Sequence, residues 1–579
     1  MGAALRRRGL GTLAFAALVG PLACGSSSEA PAGADASVAD ASGGERDAGS
    51  ASDAGSADAA IDAGPVGTFP RGFRFGTATA GFQVEMGCPT LPAAQCEDRN
   101  SDWYQWITTP RIVNNNLLHM SGDLPATGPG FRELWASDLD RAGPADLGTS
   151  VLRLSLEWSR LFPRPTFGVT DPAALRALAD PQALAFYHQV LTGLRQRGMH
   201  PSVTVTHYAL PLWIHDGNLC NDGVIPGQSL NACIQAGKAG WADPNHARIG
   251  DEIAKFAGFL GREFGNDVDE WATMNEPFSA VILPGYLAAT EMRSNPPGLT
   301  GAWLSVSGAK TAMTSMIEAH AKMYDALKAA DRIDADGDGT AANVGLVYSF
   351  SKIEPLTGNQ ADADAAAHAD YIFHDLFMDG VAFGRVDPEW NLGPGKGTVR
   401  PELANRLDWV GVNYYFGFKA QALRVSPLPG VSPFIDFNPL QGFDGEAPGG
   451  LFEVLRNATR YKKPLIVSET GASFGNDQGA PATATPEDER KRAAWFVRTL
   501  AETRRATQAG IDVRGFYAWA LTDNYEWNHG ASMRFGLYAV DPKTKARTPR
   551  QAATVYRRMV RERDVPNDLE QTYLGVFTR

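Results

Sequence analysis

Cysteine is scarce here, with five residues in a chain of 579. None lies in a CxxC pair or near histidines at metal-ligand spacing, so a cysteine-built metal site finds no support. An excess of positive charge is also lacking. The formal net charge is −12, whereas a nucleic-acid partner requires clustered Lys and Arg. No apolar run reaches the ~20 residues that span a bilayer; the run Gly9 to Ala23 has only 15. No G-x-G-x-x-G or Walker sequence stands at a strand-to-helix turn, so a nucleotide-binding open sheet would lack its phosphate loop. Hydrophobic residues make up 44% of the chain, ordinary for a globular protein, which excludes general disorder and a collagen-like repeat.

The charge is unevenly distributed, and it divides the chain into three parts. Residues 1–23 carry +3 from Arg6, Arg7 and Arg8, residues 25–66 carry −7, and the remainder carries −8. A basic start followed by a short apolar run is the pattern of an export signal. Leu22-Ala23-Cys24-Gly25 after it resembles a bacterial lipoprotein signal, in which Cys24 is lipidated and anchors the chain without spanning the membrane. Ordinary secretion, with Cys24 removed along with the signal, is the alternative. Residues 24–66 form a linker: from Gly25 to Val66, 28 of 42 residues are Ala, Ser or Gly, six are Asp and none is aromatic. Such a segment buries too little apolar surface to offset its ordering entropy and is expected to be a disordered, extended tether. One large folded domain, 67–579, is expected to follow.

The other cysteines fall as two local pairs, Cys88 with Cys96 and Cys220 with Cys233. Four cysteines allow three connectivities, of which the local one is the simplest; it would stiffen two loops in an oxidising compartment.

From Phe69 onward, short apolar runs alternate with longer stretches of helical period. The strand candidates are Phe73–Thr79, Val151–Glu157, Pro201–His207, Glu270–Glu276, Asn343–Phe350, Asp408–Tyr415, Pro464–Glu469 and Gly515–Leu521. Helical stretches such as Pro181–Arg197, Asn245–Phe264, Ala302–Ala330, Ala361–Gly380 and Glu487–Ala509 lie between them. Eight strands alternating with helices predict an α/β fold, a closed (β/α)8 TIM barrel, over an open doubly wound sheet.

Active sites of such barrels sit at the carboxyl ends of the strands. Those ends bring Gln83, Arg153, His207, Asn275, Glu276, Tyr415, Glu469 and Trp519, then Glu526 and Trp527, to one mouth. Carboxylates and amides beside aromatic faces suit a sugar, with its apolar ring faces and fringe of hydroxyls. Taken singly, a strand-end Glu is more often an ion-pair partner, a His a core residue and a Trp a packing residue. Their concentration at one mouth is the signal.

Four separated segments carry a specific resemblance: FRFGTATAGFQVEMG from Phe73, VLRLSLEWSRLFP from Val151, WATMNEP from Trp271, and WALTDNYEWNHGASMRFGLYAVD from Trp519. In order and spacing the chain resembles glycoside hydrolase family 1, the β-glucosidase family, over essentially all of 69–560. The resemblance implies a retaining, exo-acting β-glycosidase that takes a small-molecule β-glycoside or oligosaccharide and needs no cofactor or metal. Glu469 stands at the nucleophile's position and Glu276 at the acid/base position. Arg153 and Tyr415 resemble the groups that keep the nucleophile ionised, and the charge of Glu469 is expected to raise the pKa of Glu276. Asn275 would hold the sugar's 2-hydroxyl. Gln83, His207, Glu526 and Trp527 match positions that bond the outer hydroxyls. Trp519 matches the aromatic floor and Phe535 a wall near the 6-hydroxymethyl group. Glu157 reads as structural, with Trp158 packing and Arg160 pairing beside it.

Three departures from the family pattern stand out: Tyr208 where Trp is usual, Ala520 where Ser is common, and Thr470 where Asn usually follows the nucleophile. Glu526-Trp527 argues against the 6-phospho-sugar branch, and retention of Glu276 against the myrosinase variant. A sugar-binding protein on a degenerate barrel and a transglycosylase are the competing readings. Gluco, galacto or fuco preference is not readable from these segments. Finally, Asp334-Ala335-Asp336-Gly337-Asp338-Gly339 resembles the start of a calcium loop, but the twelfth place is Gly345, not Glu; an acidic turn is the alternative.

Overall fold

The computed structural model describes residues 69–115, 119, 121–221, 229–287, 295–298, 302–420, 422, 448–474 and 484–577. The segments read as an export signal (1–23), lipidation site (Cys24) and linker (24–66) lie outside the described residues, as do 222–228 and 423–447.

Eight strands form the barrel: β1 Arg74–Ala78, β2 Val151–Ser155, β3 His200–Thr206, β4 Glu270–Asn275, β5 Asn343–Ser349, β6 Val410–Tyr414, β7 Leu465–Thr470 and β8 Val513–Trp519. They close in chain order, every neighbour parallel, with β1 paired to both β2 and β8. Each lies within two residues of its sequence-read candidate. The strands are buried along nearly their whole length, as expected where helices cover the outside and side chains fill the inside. Filling constrains closure at Gly76, which pairs with Tyr517 on β8 and Val151 on β2. A Cβ on Gly76 would lie 2.6 Å from the Tyr517 ring, so only glycine leaves room for that ring inside the barrel.

One main helix follows each strand: α1 Phe131–Ala142, α2 Pro181–Gln196, α3 Ala247–Phe264, α4 Ala302–Ala330, α5 Gln360–Asp370 prolonged through Tyr371–Asp375 into Leu376–Phe383, α6 Leu451–Ala458, α7 Pro486–Gln508 and α8 Gln551–Glu562. Their starts are legible locally. Asp180 accepts from the Gln182 and Ala183 amides with Pro181 in the first turn of α2, and Thr485 and Asp488 form a reciprocal capping box before α7; such caps satisfy amides that the helix cannot. The inward stripe of α3 (Ile249, Ile253, Phe256, Leu260) is buried, and Phe256 stacks on Trp158 at 5.5 Å. Truncating Phe256 to Ala there should cost ~3–5 kcal/mol.

Cys88 is joined to Cys96 and Cys220 to Cys233. Arg160 pairs with Glu85 at 2.6 Å. Glu157 does not take that cation and instead accepts from Ser155 Oγ at 2.7 Å. Burial first, then the neighbouring Glu85 charge, pushes the Glu157 carboxyl up to about 8.

The acidic turn lies at the amino-terminal end of the barrel, beside the start of β1. Asp269, Asp334 and Asp336 gather there, without Asp338, but their oxygens are already engaged. Asp334 accepts from the amides of Gly337, Asp338 and Gly339 (2.7–3.1 Å). Asp269 accepts from those of Ala335 and Asp336, and Arg74 donates to Asp336 at 2.8 Å. Backbone amides and Arg74 thus share these carboxylates.

Candidate active site

The carboxyl ends of the strands converge on one cleft lined by Gln83, His207, Glu276, Tyr415, Glu469 and Trp519, with Glu526, Trp527 and Phe535 from the loop after β8. Glu469 is on β7 and Glu276 directly follows β4. Gly471 lets the end of β7 approach β8: a Cβ there would lie 1.9 Å from the Trp519 carbonyl oxygen. Tyr208, Glu276 and Trp527 all have positive φ, +72°, +43° and +51°. Non-glycine residues adopt this left-handed region at a cost and keep it only where their surroundings over-determine them. In each case the backbone turns sharply at the rim and aims the side chain into the cleft.

Beneath the cleft, Arg153 is completely buried on β2, and each of its three guanidinium nitrogens donates a hydrogen bond. Nη1 donates to Glu469 Oε1, Nη2 to Asn275 Oδ1 at 2.9 Å and Nε to Thr204 Oγ1 at 3.0 Å. Tyr415 donates to the other oxygen of Glu469 at 2.7 Å. Asn413, which ends no recognised motif, donates to Glu276 Oε1 at 2.8 Å and to Asn275 Oδ1 at 3.1 Å, and it also bonds Glu469. Ser468 holds its carbonyl oxygen at 2.9 Å. One donor reaching both carboxylates keeps their nearest oxygens within about two hydrogen-bond lengths, ~6 Å. The two carboxyls therefore face one another across a gap that a single sugar carbon can occupy.

The two carboxyls differ in what faces them. Burial, and then the charge of Glu469, pushes Glu276 up to about 7, against weaker pulls from Asn413, Ser279 and Tyr208. Burial therefore outranks the charge repulsion that the sequence reading put first. Glu469 is also raised by burial, although the Arg153 cation, Tyr415 and Asn413 oppose the rise. Both carboxyls have a phenol donor, but Arg153 pairs with Glu469 and not with Glu276, so Glu469 gives up its proton first and Glu276 holds one near neutrality.

Asn275 lies below the lining. Its Oδ1 accepts from Arg153 and Asn413, and its Nδ2 donates to Tyr208 Oη at 2.7 Å and His207 Nε2 at 3.2 Å. Its capacity is fully used, so a sugar hydroxyl would have to displace one of these partners. Above it, Glu526 Oε2 accepts from Gln83 Nε2 at 3.0 Å and from Asn524 Nδ2 at 2.8 Å. Gln83 Oε1 and His207 Nδ1 are buried with no protein partner, a costly state unless a ligand's polar groups meet them. Burial and Arg153 hold His207 well below its ordinary pKa, hence neutral; accepting at Nε2 places its proton on Nδ1. His207 stacks within 13° of both Trp519 (6.0 Å) and Trp527 (5.9 Å), and Phe535 meets Tyr415 edge-on at 5.8 Å. The sequence places Asn413 and Asn524 at the mouth by their positions after strands but assigns them no role, and it gives no signal for Ser279.

Comparison with known proteins bears on the family and the fold. The sequence matches the family described as "Glycosyl hydrolase family 1" over residues 66–226 and 230–565. A β-galactosidase of Sulfolobus acidocaldarius is 33% identical over 87% of this chain and 97% of its own length. β-Glucosidase A of Thermotoga maritima is 26% identical over 86% and 98%. The crystal structure of a β-glycosidase from Thermosphaera aggregans aligns with a TM-score of 0.71 at 30% identity, over 87% of this chain and 99% of that one.

Proposed function

The chain belongs to glycosyl hydrolase family 1, and on that premise we propose how its own residues carry out the reaction and where it works. It is a retaining, exo-acting β-glycosidase. Glu469 attacks the anomeric carbon while protonated Glu276 gives its proton to the departing glycosidic oxygen, leaving a glycosyl ester on Glu469 and a free alcohol. Esterification removes the Glu469 charge, which lowers the proton affinity of Glu276 and converts it into a base. Glu276 then takes a proton from water as the water oxygen attacks the same carbon. The ester breaks, the sugar leaves with its original configuration, and both carboxyls return to their starting states.

The observation that carries this reading is the asymmetry of the pair. A carboxylate locked between Arg153 and Tyr415 faces, across Asn413, a carboxyl that holds a proton near pH 7. The substrate class is a neutral terminal sugar of gluco, galacto or fuco type; these are the sugars in the relatives' names, which include a bifunctional β-D-glucosidase/β-D-fucosidase of Bifidobacterium breve. Glu526, bonded to Gln83 and Asn524, offers a second anchor for hydroxyls and would repel a 6-phosphate. The enzyme acts outside the cytoplasm, tethered through lipidated Cys24 and the acidic linker 24–66. The reaction is tested by incubating the intact protein and Glu469→Gly with 4-nitrophenyl β-glucoside, β-galactoside and β-fucoside. Equal hydrolysis by both proteins would sink the mechanism. Labelled palmitate that appears in the parent but not in Cys24→Ala tests the anchor.

A further inference from the structure

Tyr208 stands where the family usually has Trp, and a phenol at that place brings a hydroxyl that an indole lacks. Its oxygen lies 2.7 Å from Asn275 Nδ2 and 3.3 Å from Glu276 Oε2. Asn275 is itself held by Arg153 and Asn413 through Oδ1, so its Nδ2 must be the donor. The phenol oxygen is therefore an acceptor toward Asn275, and its single O–H is left to donate to Glu276. Burial and the carboxylates Glu276, Glu469 and Glu526 raise the Tyr208 phenol well above its ordinary pKa, so the donor keeps its proton throughout the working range.

The ring is as constrained as the hydroxyl. It packs against His207 at 4.6 Å and Trp527 at 4.7 Å, with the backbone in the left-handed region. Its other side closes a small cavity shared with the buried Asp102–His215 pair. The charged groups that face Glu276 or Tyr208 are thus Glu469 from β7, Arg153 from β2 and Glu526 from the loop after β8, with Asp102 behind.

We propose that Tyr208 is a positioning residue whose hydroxyl, oriented by Asn275, grips Glu276 Oε2 and holds the acid/base carboxyl on the leaving-group side of the cleft. The inference rests on the hydrolase reading above and deepens it. Three donors share the Glu276 carboxylate: Asn413 on Oε1, and Ser279 (3.1 Å) and Tyr208 on Oε2. Asn413 links it directly to the nucleophile, and Tyr208 adds a second route through Asn275 and Arg153. Donation to a carboxylate favours the ionised form, so Tyr208 also eases the second step, in which Glu276 must act as a base. At 3.3 Å the bond is longer than an optimal O–H···O contact, and catalytic hydrogen bonds commonly shorten when substrate closes the site.

The test compares the parent and Tyr208→Phe on whichever 4-nitrophenyl β-glycoside the parent hydrolyses best, reading kcat and KM across pH. Removing the hydroxyl should move the alkaline limb of kcat/KM upward by about half to one pH unit and lower kcat with little change in KM. A limb that stays in place, or a change confined to KM, would overturn the assignment; the second outcome would make Tyr208 a sugar contact only. If Tyr208→Phe does not fold, 3-fluorotyrosine at position 208 supplies a more acidic phenol in the same shape. It should move the limb downward, and an unmoved limb again overturns the proposal. An inactive parent would instead sink the hydrolase reading itself, so the two failures are distinguishable.

Discussion

Tyr415→Phe isolates one bond to the nucleophile. In the folded protein Tyr415 donates to Glu469 Oε2 at 2.7 Å, and both groups are buried, at 9% and 3% exposure. A hydrogen bond to a charged group is worth ~1.5–3 kcal/mol, and each pH unit corresponds to ~1.4 kcal/mol. Phe in this place leaves the ring packing intact and withdraws that stabilisation from the ionised form alone. The Glu469 pKa should therefore rise by about 1–2 units. Because Glu469 must be ionised to attack, the acid limb of kcat/KM belongs to it and should move up by that amount, toward the alkaline limb near 7 set by Glu276. Below the shifted limb, kcat/KM should fall about 10–100-fold relative to the parent. The assay is the pH profile of kcat/KM on a 4-nitrophenyl β-glycoside, with circular dichroism to establish folding. A folded variant whose acid limb coincides with the parent's would refute the claim that Tyr415 holds the nucleophile ionised, and would leave that role to Arg153 and Asn413.

Further outcomes follow from the same geometry. Glu276→Gln should lose ~10²–10⁴-fold in kcat/KM on glycosides with poor leaving groups and far less with 2,4-dinitrophenolate, which departs without protonation; an equal loss on both would refute the acid role. Glu157, buried and raised to about 8 from a carboxyl's ordinary 4.5, binds a proton in the folded state that the unfolded chain releases. Its contribution to stability is full below about 4.5 and is lost as pH rises through 8, a change of a few kcal/mol. Thermal unfolding of Glu157→Gln should therefore lack that part of the parent's decline between about pH 4.5 and 8. Calcium should change Tm by less than about 1 °C, since an ion stabilises a fold only by binding it and the Asp334 oxygens are occupied by backbone amides; a rise that grows with calcium concentration would restore the calcium-loop reading.

Much of the fold was legible because the information is local. Eight apolar runs with helical stretches between them describe strands covered on both faces, and the caps at Asp180 and Thr485 are readable within four residues. The placement of Glu276 and Glu469 at the barrel mouth was legible because each sits at a strand end within a recognisable string. The carboxylates' environments were not. Asn413 holds a bond to Glu276 from a strand 137 positions along the chain, and nothing near either residue announces the other. Spacing does not decide the calcium resemblance for a related reason, since it does not say which backbone amides will share the same oxygens.

The sequence by itself determined the barrel, the two carboxyls and their order of appearance, since hydrophobic period and strand-end chemistry are properties of short segments. Only the tertiary structure decided which carboxyl keeps its proton. That depends on burial, which pushes both groups up, and on which of them lies against the Arg153 guanidinium across 316 positions. It also decided that the Tyr208 hydroxyl faces Glu276, because a donor's direction is set by the neighbours that leave it one acceptor.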